Sequence, residues 1–197
     1  LPTPTILDGT ANYQTTLYAG TGSSNEVDQS GNSTFQPDFV WIKNRGTTDN
    51  NVLTNSVTGA TKYLTSNGVI ALTTNTETLK TFDSDGFTVG TDALVNTNTE
   101  NYVGWSWKGD SSSGVLNEEG TIDSYIAANP TAGFSAIKWT GTGANGTLGH
   151  GLDSAPEFFM GRYSNSAGWW HGWHVDLAGA TSVFFFNSSG GASTDAS

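Results

Sequence analysis

Tyr102-Val-Gly-Trp-Ser-Trp-Lys108 alternates large and small residues. Val103, Trp105 and Trp107 fall on one side of an extended chain, and Gly104 and Ser106 on the other, the two-residue period of a β-strand. A glycine inside such a run leaves nothing to pack and implies that a ring or another backbone comes close. Asp38-Phe-Val-Trp-Ile-Lys43 is apolar on both faces, as a strand in the middle of a sandwich should be. Val69-Ile-Ala-Leu72, Leu79-Lys-Thr-Phe82, Phe87-Thr-Val89 and Thr121-Ile-Asp-Ser-Tyr-Ile126 extend the β pattern, and Ser66-Asn67-Gly68, Asp85-Gly86 and Ser189-Gly190-Gly191 supply turn signals. No window of a dozen residues carries a 3.6-residue apolar period, so the expected fold class is all-β and antiparallel.

Laid against itself, the chain repeats. Tyr18-Ala-Gly-Thr-Gly22 meets Trp139-Thr-Gly-Thr-Gly143, Pro37-Asp38-Phe39-Val40 meets Pro156-Glu157-Phe158-Phe159, and Gly59-Ala60-Thr61 meets Gly179-Ala180-Thr181. The order is kept and the offset stays at about 120 residues, the signature of a duplicated structural unit. The expected organisation is a first β-sandwich over 1–112, a linker over 113–120 containing Glu118-Glu119, and a second unit over 121–197. After its Gly-Ala-Thr the first copy runs on to Trp107, whereas the second stops at Ser197, soon after Phe184-Phe-Phe186. The second unit is therefore expected to be incomplete. A unit of that size supplies only about 3–5 kcal/mol from its own core, so it should lean on the first unit or on another chain.

Composition narrows the function classes. Aliphatic residues are scarce but aromatics are plentiful, with 10 Phe, 7 Trp and 6 Tyr, and a small number of buried rings is enough to carry a core. Seven Lys plus Arg against 18 Asp plus Glu give a net charge of −11. Nucleic-acid binding needs a basic footprint, and none exists here. No apolar run reaches the length of a membrane span, so no membrane insertion is expected. The absence of cysteine removes disulfides, thiolate zinc sites and thiol nucleophiles.

Candidate sites are few. Trp169, Trp170 and Trp173 form the densest aromatic cluster, a candidate carbohydrate platform, although alternation should bury one of the adjacent pair. His171 and His174 stand three apart on what reads as a strand, which sends them to opposite faces and argues against a shared metal. Asp83-Ser-Asp85-Gly86 resembles the opening of a calcium loop, but Thr88 and Leu94 occupy the places of the glycine and the closing glutamate. A hairpin turn is expected there, with calcium held partly by backbone carbonyls as the weak metal reading of Asp83 and Asp85. No serine sits in a nucleophile elbow, and no catalytic residue is singled out. A glycan-degrading enzyme would need two carboxylates facing each other across a cleft.

Phe35-Gln-Pro-Asp-Phe-Val-Trp-Ile-Lys-Asn-Arg45, Asn55-Ser-Val-Thr-Gly-Ala-Thr-Lys62, Phe82-Asp-Ser-Asp-Gly-Phe-Thr-Val-Gly90 and Tyr102–Lys108 resemble, in that order, a family of bacteriophage virion structural and tail proteins. Asn129-Pro-Thr-Ala-Gly-Phe134, Gly149-His-Gly-Leu152 and Ala155-Pro-Glu-Phe158 extend the resemblance through the second unit. It implies tandem concanavalin-like jelly rolls, no enzymatic activity, a place in the virion, and partners among other virion proteins and copies of itself. Binding of a host-surface glycan, as a carbohydrate-binding module or adhesin would do, is the alternative. Trp169-Trp170-His171-Gly172-Trp173 is richer in Trp than that pattern, and the closing strands of the second unit are absent from it.

Overall fold

The computed structural model describes residues 6–110, 113–177, 182–188 and 193–194. Within them the chain is antiparallel β, as expected, with a 3-10 turn at Gly9–Ala11 and one turn of α-helix. The first unit is built from β1 (Tyr13–Ala19), β2 (Asn25–Asp28), β3 (Phe39–Asn44), β4 (Val52–Asn55), β5 (Lys62–Thr65), β6 (Thr73–Thr74), β7 (Leu79–Asp83), β8 (Gly86–Val89), the helical turn α1 (Ala93–Asn96) and β9 (Asn101–Trp107). The second holds β10 (Val115–Asn117), β11 (Ser124–Asn129), β12 (Phe134–Trp139), β13 (Phe158–Gly161), β14 (His171–His174), β15 (Ser182–Phe185) and β16 (Ser193–Thr194).

A six-stranded sheet, in the order β1-β9-β3-β4-β5-β6, faces a three-stranded sheet, β2-β8-β7. Val40, Ile42, Val52, Tyr63 and Tyr102 point inward from the large sheet and meet Val27, Leu79, Phe87 and Val89 from the small one. Two sheets closed over one core in this way form a sandwich. Tyr102 is fully buried; its hydroxyl donates to the Ala93 carbonyl and accepts from Thr97 N–H, which ties α1 to the core. Gly104 sits on the inner side of β9 against the Phe87 ring, the close approach its sequence position implied.

The outward side of the large sheet is aromatic rather than polar. Trp107 on β9 packs against Tyr13 on β1 and Phe39 on β3, with ring centroids 4.9 and 5.2 Å away, and Trp105 meets Trp41 edge-on at 6.0 Å. Phe134 of β12 lies over Phe39 and Trp107, so the second unit docks on this outer side.

Two sequence expectations are corrected. The segment 113–120 contains β10, which pairs antiparallel with β11, because Val115 and Leu116 can join a sheet edge that a flexible linker would leave unpaired. Val69–Leu72 is not a strand. Its backbone groups bond to the second unit instead: Leu72 N–H donates to the Ser164 carbonyl, and Gly168 N–H to the Val69 carbonyl. The matched segment 179–181 and the turn at 189–191 lie outside the described residues.

Candidate functional site

The second unit reproduces the pairing of the first residue by residue. Between β3 and β4, Phe39 pairs with Asn55 and Ile42 with Val52; between β13 and β14, Phe158 pairs with His174 and Gly161 with His171, 119 positions on. Between β4 and β5, Val52 pairs with Thr65 and Leu53 with Leu64; His171 with Phe185 and Gly172 with Phe184 follow suit. Lys62 with Thr74 between β5 and β6 is matched by Ser182 with Thr194. Even a loop bond is copied: Ser56 N–H donates to the Asp38 carbonyl at 2.9 Å, and Val175 N–H to the Glu157 carbonyl at 2.8 Å. Register is set by which face must be buried, so shared register identifies corresponding faces.

That correspondence assigns the aromatic residues. Phe159, His171, Trp173 and Phe185 occupy the inner-side places of Val40, Val52, Thr54 and Thr65. In the first unit this side is sealed by β2-β8-β7, and Val40 is 0% exposed. In the second, among the described residues, no such sheet covers it, and Phe159 is 49% exposed. The Phe159 and Trp173 rings stack at 6.0 Å, and Trp169 and His171 both meet Phe185 edge-on. On the reverse side, Phe158, Phe184 and Phe186 cluster over Gly172, where a side chain would strike the last two rings at 2.6–2.7 Å.

The three tryptophans therefore do not form one platform. Trp170 is only 6% exposed and serves the docking of the two units. Its Nε1–H donates to the Thr65 carbonyl at 2.8 Å, and the Arg162 guanidinium lies 5.4 Å from its ring centre. Arg162 in turn donates to the carbonyls of Thr65, Gly68 and Ile70, and its burial lowers its pKa from the ordinary arginine value. Asn187 donates to Gly68 as well. Trp169, at 50% exposure, and the partly buried Trp173 share the aromatic side just described. The alternation read from sequence separates the adjacent pair as expected.

Sequence reasoning missed a second aromatic feature. Tyr13, Trp107 and Phe134 line a shallow groove of about 440 Å³ where the units meet. These residues lie 121 positions apart at the extremes, and only the β1–β9 register and the docking of β12 bring them together.

The remaining candidates have structural roles. Asp83 pairs with Gly86 across a two-residue hairpin turn, and its Oδ2 accepts from the Thr88 hydroxyl at 2.7 Å. Asp83 thus closes β7 and Asp85 lies in the turn, and among the described residues no group of three or more His, Asp or Glu side chains converges there. His171 and His174 lie on β14, three residues apart and hence on opposite faces. His150 Nδ1 accepts from Leu152 N–H. Glu118 and Glu119 are exposed beside β10, with Glu119 N–H donating to the Asn117 side chain.

Residues 8–197 match a family described as a domain of unknown function, DUF7483, and the chain belongs to that family. No curated protein and no solved structure matches it.

Proposed function

We propose that the chain, as a member of that family, is a structural component of a bacteriophage virion, a reading that rests on its sequence motifs and its exposed aromatic surface. It would be a tail-fibre or capsid-surface piece that assembles with other virion proteins and copies of itself, or attaches the particle to its host. Its work is binding rather than catalysis, and a concanavalin-like jelly roll is the fold description that goes with this reading. The observation that carries it is the aromatic sheet β13-β14-β15-β16 with its flanking residues, which exposes Phe159 and Trp169 on one side and Phe158 and Phe186 on the other. Exposed apolar surface of this kind marks an interaction site. The order of sequence motifs supplies the phage setting, and a net charge of −11 suits a protein kept soluble at high copy number. Mass spectrometry of purified virions, with the chain located in particle density, tests it. Recovery in stoichiometric amounts is expected; absence from the particle would defeat it.

Recognition of a glycan is the second reading, favoured by the half-exposed Trp169 ring beside the Phe159–Trp173 stack. Flat rings bind sugar faces through C–H contacts. A glycan array should return a ligand whose binding is lost in Trp169→Ala; an empty array removes this reading.

A further inference from the structure

In the first unit β9 lies between β1 and β3 and fixes both: Thr16 pairs with Gly104 and Gly104 with Ile42, while Tyr18 pairs with Tyr102 and Tyr102 with Asn44. The second unit holds the counterparts of the two flanking strands. β12 follows β1 by 121 positions, and β13 follows β3 by 119. Each stands at the border of its sheet, β12 paired with β11 alone and β13 with β14 alone, and among the described residues no strand lies between them. Trp139 occupies the place of Tyr18. Tyr18 stacks on Tyr102 of β9 at 5.2 Å; the Trp139 ring reaches instead towards Gly161 of β13, whose Cβ position lies 3.7 Å from its Cη2. The two borders thus face each other across a gap that one side chain spans.

We infer that the slot between β12 and β13 accepts one extended peptide segment of a partner protein, antiparallel to both strands and patterned like β9. This names the partner of the assembly surface proposed above and rests on that reading. The chemistry of the occupant follows from the neighbours. Among the described residues neither border pairs with a further strand, and such borders offer backbone donors and acceptors for recognition by strand addition. On the outer side, large apolar residues would fall between Phe134 and Phe158 and between Ala136 and Met160, where β9 sets Trp107 and Trp105 between their counterparts. On the inner side, an aromatic ring would stack on Trp139, which is 44% exposed without one. A second copy of the chain cannot donate its own β9, because both borders of that strand are already paired within the six-stranded sheet.

The test uses the 1–197 chain and a labelled synthetic peptide with the sequence of residues 101–108. Fluorescence anisotropy should show saturable binding, and hydrogen exchange should show new amide protection in 134–139 and 158–161. The same peptide carrying Gly104→Pro breaks the ladder and should bind at least about tenfold more weakly. Equal binding of the proline peptide would mean that rings stick to the exposed face without strand pairing, and would overturn the inference. So would protection elsewhere, or borders already protected in the free chain. Virion mass spectrometry reads the phage setting separately, so peptide capture by a chain absent from virions would sustain the slot while removing the particle.

Discussion

Gly104 and Phe87 touch across the core of the first sandwich: a methyl group on Gly104 would lie 2.8 Å from the Phe87 Cζ. The pair links the two sheets at the level where β9 is flanked by β1 and β3, so a change in either side chain is felt by the whole sandwich.

Gly104→Ala should therefore overpack the core and lower stability by about 1–3 kcal/mol in urea unfolding. Combining it with Phe87→Leu should recover part of the loss, giving a coupling of about 0.5–3 kcal/mol in a double-mutant cycle. Strictly additive losses would show that the contact does not govern the effect.

Asp38 is fully buried, accepting at Oδ1 from the Ser56 hydroxyl at 2.6 Å and at Oδ2 from Gly109 N–H at 2.8 Å. Asp38→Asn replaces one acceptor with an amide donor and should cost about 1–3 kcal/mol, and Asp38→Ala more, because two buried donors lose their partner. Chemical denaturation followed by tryptophan fluorescence reads the ranking.

Trp170 and Arg162 hold the second unit to the 65–70 segment of the first. Trp170→Phe keeps most of the ring area and removes one hydrogen bond, for a loss of about 0.5–1.5 kcal/mol. Arg162→Met strips three carbonyls of a donor and should loosen the docking more, seen as faster proteolytic cleavage between residues 65 and 72 than in the parent chain. Unchanged cleavage would mean that the contacts left in place, Trp170 with Thr65, Asn187 with Gly68, the backbone bonds of Val69 and Leu72, and Phe134 against Trp107, suffice to hold the units together.

Tyr18 donates to the Val95 carbonyl at 2.7 Å, and burial, with the neighbouring Tyr102 adding to it, holds its pKa well above the usual phenol value. A group whose folded pKa is raised contributes stability that is complete below the unfolded value of about 10 and is lost as pH climbs through the folded one. Urea midpoints should thus be flat up to about pH 9 and fall beyond about pH 10. Tyr18→Phe should start lower, having lost the hydrogen bond, and fall less steeply.

Much of this architecture is legible in the chain itself. The alternation in Tyr102–Trp107 gives β9 and its two faces, Gly104 announces a ring, and the offset of about 120 residues reappears as shared register from β13 to β16. The site is less legible, for definite reasons. Alternation separates Trp169 from Trp170 but cannot say that Trp170 turns towards Thr65, since that depends on how two units dock. Val69-Ile-Ala-Leu72 carries a strand's composition, yet its bonds go to Ser164, Gly168 and Arg162, nearly a hundred residues away. The Tyr13–Trp107–Phe134 groove is equally a product of long-range packing.

The unpaired borders of β12 and β13 also bear on how the protein must be handled and stored. Bare sheet margins template pairing between identical molecules, and natural chains blunt them with charge. Here a surplus of eleven negative charges spreads over the whole molecule, and acidification to about pH 4 neutralises much of it. Concentrated stocks taken to that pH are expected to gel or form fibrils, so mutual repulsion among copies is what preserves these margins for their proper neighbour.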